Sequence, residues 1–243
     1  AATVDISNRF LYQVNGNATI SVFAIDPFSG TLTNTAVSAT TVGGAARFGA
    51  IHPSNNFFYS GNIAQTSVSY HAVAADGSLT LQGIGSTGGT NGPSQIAMDS
   101  AGQNLYTPNF NAAENIYWFT INQSTGGLSG LSSIACGNSC YQIWMHPNNR
   151  FVYAGGTAGH FLFLRDTNGA LTASGSSVGA AFRTSTFAPA GDYMYTSFTS
   201  NPAQLRTIRL DQTTGFLTLA GLTTTPGNCT TACGIALITS YVF

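Results

Sequence analysis

The sequence contains few charged residues and no lysine. Only 6% of its 243 residues are Asp, Glu, Lys or Arg, all seven cations are arginines, and the formal net charge is -1. Soluble domains usually carry about 25% charged residues. Because there is no basic cluster, the electrostatic attraction that anchors proteins to phosphate backbones or anionic lipids is missing. We therefore expect neither nucleic acid nor a membrane surface as a partner.

Long apolar runs are also missing. No run approaches the roughly 18 residues of a membrane-spanning helix. Disorder is excluded as well, because hydrophobic residues reach 43% and aromatic residues 12%. A chain of this length buries a core without a metal or cofactor, and we predict none. The first residue is Ala rather than Met, which suggests a removed leader or a trimmed chain.

Cysteine is scarce, and its four copies form two Cys-x3-Cys pairs, Cys136 with Cys140 and Cys229 with Cys233. Such a pair, taken alone, is also half of a metal site. However, no His or third Cys lies near either pair to complete a tetrahedral zinc site. The pairs therefore predict disulfides, no metal, and a secreted protein that is extracellular or at the cell surface.

A repeat of about 47 residues runs through the chain. The segments "NRFLYQVN", "NNFFYSGN", "QNLYTPNF", "NRFVYAGG" and "DYMYTSFT" align on five tyrosines with spacings of 47, 47, 47 and 42 residues: Tyr12, Tyr59, Tyr106, Tyr153 and Tyr195. A turn glycine follows in each repeat, two residues before a leucine: Gly30, Gly77, Gly126, Gly169 and Gly215. A glycine in this place predicts a tight hairpin turn between antiparallel strands.

Each repeat divides into four short strands, because residues alternate in "TISVFAID" and "HFLFLRD" and Val, Ile, Thr, Tyr and Phe are abundant. Four-stranded units of 40 to 50 residues are typical of propeller blades. We predict an all-β fold, a β-propeller of five four-stranded blades in a single domain, 1–243. The approximate repeats are 1–45, 46–92, 93–139, 140–181 and 182–228, followed by a strand at 234–243.

This last strand is an inner strand without a blade of its own. Its apolar and aromatic residues are Ile235, Ala236, Leu237, Ile238, Tyr241 and Phe243. Since the inner strand before the first repeat is short, the C-terminal strand is predicted to close blade 1. Alternatively, it completes a blade of a neighbouring subunit, which would give an oligomer or a filament. A third alternative is that the chain is part of a larger propeller.

The segments "HPSNNFFYSGN" and "HPNNRFVYAGG", each followed by a V-x-x-F/Y strand and an x-G-x-L-T turn, resemble the repeats of the YVTN and lactonase-type propellers. That family includes phosphogluconolactonase-like proteins. The resemblance covers nearly the whole chain and implies a propeller, usually of seven blades, whereas this chain supplies five. It implies lactonase activity only where site residues match, and no such match is evident.

Four polar residues fall in loops on the face where propellers usually bind ligands. Arg47 and Arg183 begin equivalent inner strands, and two guanidinium groups there would hold a carboxylate or sugar acid. Glu114 and His160 lie in loops on the same face and are candidates for a general acid/base pair. The alternative is that all four side chains are simply solvated.

Aromatic residues suggest a sugar site. Tyr141 follows Cys140 at the expected channel mouth, where an exposed ring would stack on a glycan. The tyrosines at repeat spacing are instead expected in the core between blades. His52 and His146 precede Pro in turns whose counterparts include Asp5 and Asp99, so we predict that they cap those turns.

Three functions follow from these observations. The first is a secreted structural or interaction propeller that associates with itself, which accounts for the low charge, the disulfides and the unpaired strand. The second is a lactonase-like hydrolase, and the third is a carbohydrate-binding propeller whose partners are glycans. The shortage of catalytic residues favours the first, so an enzyme is the less favoured prediction.

Overall fold

The computed structural model describes residues 1–40, 46–88, 92–109, 115–137, 140–179, 182, 184–198 and 204–224. The chain divides into two compact units, Ala1–Ala135 and Cys136–Phe243, each described by itself. All regular structure in the described residues is β-strand. No described segment forms an apolar helix of membrane-spanning length.

The first unit contains three antiparallel sheets, each of four strands in chain order. The first sheet consists of β1 (Ala2–Val4), β2 (Phe10–Val14), β3 (Thr19–Ile25) and β4 (Leu32–Thr40). The second consists of β5 (Ala46–Ile51), β6 (Phe57–Asn62), β7 (Ser67–Val73) and β8 (Leu79–Ser86). The third consists of β9 (Ala97–Met98), β10 (Asn104–Pro108), β11 (Asn115–Ile121) and β12 (Leu128–Ala135).

The second unit contains two further sheets of the same kind. One consists of β13 (Cys140–Met145), β14 (Phe151–Gly156), β15 (Gly159–Arg165) and β16 (Leu171–Val178). The other consists of β17 (Thr184–Phe187), β18 (Tyr193–Phe198), β19 (Gln204–Leu210) and β20 (Leu217–Thr224). The prediction of an all-β chain of five four-stranded propeller blades is therefore confirmed, and the sheets are numbered as blades 1 to 5.

The repeat tyrosines form the centre of the packing between blades. Tyr12, Tyr59 and Tyr153 are fully buried in apolar clusters that join blades 1 and 2, blades 2 and 3, and blades 4 and 5. Tyr59 donates a hydrogen bond from its hydroxyl to the carbonyl oxygen of Gly126 in the next blade, at 2.9 Å. Tyr153 likewise donates from its hydroxyl to the carbonyl oxygen of Gly215 at 2.7 Å, so in these two tyrosines an apolar ring is combined with a satisfied polar tip.

The predicted turn-capping role of the two histidines is confirmed. The Nδ1 atom of His52 accepts from the backbone N–H of Ser54 at 3.1 Å, and that of His146 accepts from Asn148 at 3.2 Å. The aspartate counterpart Asp5 caps its turn through Oδ1, which accepts from the backbone N–H of Phe10 at 2.9 Å. Local side-chain bonds of this kind hold the turn between the first two strands of a blade.

The Cys136–Cys140 disulfide is present in the structure. Cys140 is the first residue of β13 and Cys136 lies four positions before it, so the disulfide fastens the entry to the inner strand of blade 4. The second predicted pair, Cys229 with Cys233, lies outside the described residues and stays a prediction. The same holds for the closing strand at 234–243.

Candidate functional site

Three of the five predicted catalytic or ligand-binding side chains lie in the described part of the chain: Arg47, Tyr141 and His160. Glu114 and Arg183 lie outside it. Arg47 and Tyr141 belong to the inner strands of blades 2 and 4, and His160 belongs to β15, the third strand of blade 4. The sequence had placed His160 in a loop, but it is the second residue of a strand.

Arg47 and Tyr141 occupy the same position in their blades. In β5 the register shifts between Ala46 and Phe48, and in β13 it shifts between Cys140 and Gln142. Each candidate is therefore the extra residue of a β-bulge on an inner strand. Bulges redirect a side chain and are frequent beside active sites.

The two bulge residues differ in exposure. Arg47 is exposed, and its guanidinium is a planar group with several N–H donors. Tyr141 is half-buried, and its hydroxyl donates to the backbone oxygen of Phe182 at 2.7 Å. The ring expected to be free for sugar stacking is therefore held against blade 5 by this bond.

His160 lies in a closed polar contact between blades 4 and 5. It is 1% exposed, and its ring stacks on Phe182 with a centroid separation of 3.8 Å. Its Nε2 atom lies 2.8 Å from the hydroxyl of Ser185, which in turn lies 2.8 Å from that of Thr196. The distance from His160 Nε2 to the Ser185 hydroxyl is that expected between a catalytic base and a nucleophile, but protein atoms cover the imidazole.

The electrostatics of His160 weigh against acid/base catalysis. Burial, and secondarily the positive charge of Arg206, lower the pKa of His160 from 6.5 to about 3. The ring is therefore neutral at neutral pH, and its Nε2 atom shares a hydrogen bond with the Ser185 hydroxyl. A general base works best with a pKa near the operating pH, which this imidazole lacks. The catalytic role suggested for His160 stays a prediction, with its environment against it.

A row of asparagines was not among the site residues predicted from the sequence. Asn15, Asn62 and Asn109 each stand three residues after the repeat tyrosine, spaced by 47 residues, at the end of the second strand of blades 1 to 3. The equivalent residues of blades 4 and 5 are Gly156 and Phe198. The spacing was a usable signal, but only burial distinguishes these amides from the many surface asparagines.

Two of these amides are buried with incomplete hydrogen bonding. Asn62 is 0% exposed and Asn109 is 6% exposed. Within the described residues, the Oδ1 atom of each has no hydrogen-bond partner. Buried polar atoms almost always have partners, so these two acceptors need an explanation. Among the described side chains, no group of three His, Cys, Asp or Glu comes together as a metal site would require.

Solved structures with the same fold include two lactonase-type proteins. The periplasmic gluconolactonase of Pseudomonas aeruginosa is 18% identical, with a TM-score of 0.78 over 93% of this chain and 72% of that chain. A putative 6-phosphogluconolactonase from Bacteroides uniformis is 16% identical, with a TM-score of 0.77 over 91% of this chain and 70% of that one. At such identities the likeness establishes the fold alone.

The fold also occurs in proteins with other functions. Hydrazine synthase of Kuenenia stuttgartiensis is 12% identical, with a TM-score of 0.63 over 86% of this chain and 63% of that chain. Fold therefore does not decide activity. No curated protein matches the sequence significantly.

The sequence itself matches a family. The family model described as a lactonase, seven-bladed β-propeller, matches residues 2–140, which include all of blades 1 to 3. This match covers more than half of the chain and agrees with the resemblance of the repeats. The protein therefore belongs to the lactonase family of seven-bladed β-propellers.

Proposed function

We propose that the protein is a lactonase-like hydrolase that opens the ring ester of a sugar-acid lactone. The observation that carries this proposal is the family match over residues 2–140. Two structural neighbours are a gluconolactonase and a putative 6-phosphogluconolactonase, which supports the same class of substrate. The sequence alone had favoured a structural propeller, with this hydrolase as an alternative.

Lactone hydrolysis requires a base that activates water and a positive group near the oxygen that becomes negative. We assign the first role to Glu114, the single glutamate of the chain, and the second to Arg47 at the bulge of β5. Water adds to the carbonyl carbon, the bond from that carbon to the ring oxygen breaks, and the released alkoxide takes up a proton. The product is the open hydroxy acid.

The test is titration of the acid released from D-glucono-1,5-lactone and from its 6-phosphate, with the spontaneous rate subtracted. We expect a rate proportional to enzyme concentration for one of the two lactones. Glu114→Gln should lower kcat/KM by about 100-fold or more, as loss of a general base does. Asp76→Asn is the matched control, because this carboxylate is exposed in the turn before β8. The absence of any rate above the spontaneous one would refute the proposal.

We also propose that the protein is exported. The Cys136–Cys140 disulfide is typical of an oxidising compartment, and the Pseudomonas neighbour is periplasmic. Extracellular location, assembly into filaments and binding of glycans remain predictions from the sequence, and no structural observation favours them. Separation of cell fractions followed by immunoblotting tests export: recovery of the intact chain only from the cytosol contradicts it.

A further inference from the structure

The asparagine row belongs to a two-residue polar pattern in blades 1 to 3. The pattern places a polar residue two positions before each asparagine, on the same side of the second strand: Gln13 with Asn15, Ser60 with Asn62, and Thr107 with Asn109. In blade 4 the corresponding residues are Ala154 and Gly156. The pattern is therefore confined to blades that the lactonase family model matches.

In blade 2 this polar side is completely buried. Ser60 and Asn62 are both 0% exposed. The amide nitrogen of Asn62 donates to the hydroxyl of Ser69 at 2.9 Å, which leaves its Oδ1 free to accept. Neither the Ser60 hydroxyl nor Asn62 Oδ1 has a hydrogen-bond partner in the described part of the chain. An apolar pair here would fill the same space without the free-energy cost of two buried polar atoms that lack hydrogen-bond partners.

The backbone at Gly92 and Pro93 connects the asparagines of blades 2 and 3. The N–H of Gly92 donates to the carbonyl of Ile63, the residue after Asn62, at 3.1 Å. Pro93 then forms a β-bridge with Asn109. A Cβ atom at Gly92 would overlap the carbonyl oxygen of Asn62, so only glycine permits this close approach. The backbones of Asn62 and Asn109 thus both adjoin one short segment.

We propose that Asn62 Oδ1 and Asn109 Oδ1 accept hydrogen bonds from hydroxyl groups of a small polyhydroxylated ligand. Both acceptors are neutral, and a hydroxyl is the donor that pairs with an amide oxygen without bringing a charge into a buried place. Asn15 is half-buried and Asn109 retains 6% exposure, so solvent contacts the row at these two residues, whereas Asn62 is enclosed. Resting on the proposed function, the ligand is the sugar-acid lactone itself.

The test uses D-glucono-1,5-lactam, in which a ring N–H replaces the ester oxygen so that the ring resists hydrolysis. Its Kd is measured by calorimetry for the wild type and for Asn62→Leu and Asn109→Leu. We expect each variant to weaken binding by about tenfold, the equivalent of about 1.4 kcal/mol. Asn168→Leu, in the exposed turn before β16, is the control and should leave Kd unchanged.

Two further measurements separate binding from folding. Urea unfolding of Asn109→Leu should show stability equal to or above that of the wild type, because the variant removes a buried acceptor without a partner. Asn109→Gln retains a neutral amide oxygen and should restore part of the binding that Asn109→Leu loses. A loss of binding that accompanies partial unfolding in Asn109→Leu, with no rescue by Asn109→Gln, overturns the proposal.

The remaining outcomes distinguish this inference from the proposed function. Lactam binding that depends on Asn62 and Asn109, without lactone hydrolysis, supports the asparagine row and refutes the hydrolase. Lactone hydrolysis with unchanged KM and unchanged lactam Kd in both leucine variants refutes the row and supports the hydrolase. Absence of both lactam binding and lactone hydrolysis refutes both proposals. A structure of the complex in which only ordered water contacts the Oδ1 atoms of Asn62 and Asn109 refutes the asparagine row.

Discussion

His52 donates a hydrogen bond from Nε2 to the carbonyl oxygen of Gly102, 3.0 Å away, and thereby joins blade 2 to blade 3. A carbonyl oxygen only accepts, so Nε2 carries the proton and Nδ1 is the acceptor that caps the turn at Ser54. His146 bonds to Gly191 of blade 5 in the same way, at 2.8 Å. One imidazole thus holds its own turn and the neighbouring blade.

The two roles of His52 are separable by substitution. Asp99 occupies the equivalent turn in blade 3 and caps it through Oδ1, which accepts from Gln103 at 2.7 Å. His52→Asp should therefore keep the local cap and lose the bond to Gly102 together with the ring contact to Phe57, at a cost of about 1 kcal/mol. His52→Ala should lose both, at about 2 to 3 kcal/mol. Urea unfolding measures the difference, and equal losses would contradict a separate capping role.

Gly102 should tolerate alanine much less well than Gly30. Both have positive φ, +67° and +70°, so both pay the same backbone penalty of about 1 kcal/mol. A Cβ at Gly102 would also overlap the imidazole of His52, whereas nothing lies within 4 Å of one at Gly30. We expect Gly102→Ala to destabilise the protein by at least about 1 kcal/mol more. Equal melting temperatures for the two variants would disprove the steric contact.

The stability of the protein should fall in acid partly because of His160. Its folded pKa is about 3 and its ordinary value is 6.5, so between these values the unfolded chain binds a proton that the folded protein does not. Stability is therefore lost as the pH falls from 6.5 towards 3, by up to about 1.4 kcal/mol per pH unit.

The matched variant is His160→Phe, which retains an aromatic ring beside Phe182 but does not titrate. Urea unfolding at pH 7, 5 and 4 should show a smaller acid loss in this variant than in the wild type, by about one bound proton. Identical pH profiles would show that His160 binds its proton at the same pH in the folded and unfolded protein, which would contradict the lowered pKa.

The Cys136–Cys140 disulfide should stabilise the protein modestly. It closes a loop of only five residues, for which the loss of unfolded-state entropy corresponds to about 2 kcal/mol. Replacement of both cysteines by serine should lower the free energy of unfolding by roughly this amount.

Peptide mapping without reduction should also recover Cys229 linked to Cys233, and a thiol titre of two would contradict that second bond.

The C-terminal strand gives a prediction about assembly. We expect a variant that lacks residues 235–243 to stay monomeric and to unfold at lower temperature, because the strand is predicted to close blade 1 of its own chain. Light scattering of the full and shortened chains measures this. Polymers formed by the full chain but not by the shortened one would instead indicate strand exchange between subunits.

The sequence by itself determined the blades. Strand alternation, the tyrosine spacing of 47 residues and the turn glycines at positive φ are local signals, read within one repeat at a time. For the same reason the caps at His52 and His146 were predictable, since a turn-capping bond reaches only two residues along the chain.

Only the tertiary structure decided what lies between blades. The bond from His52 to Gly102 spans 50 residues, and the contact of His160 with Ser185 spans 25. The sequence predicted a loop position for His160. In the structure its ring is buried against Phe182, and this burial lowers its pKa. Asn62 and Asn109 likewise read as ordinary polar residues, because an amide oxygen lacks a partner only after neighbouring blades have enclosed it.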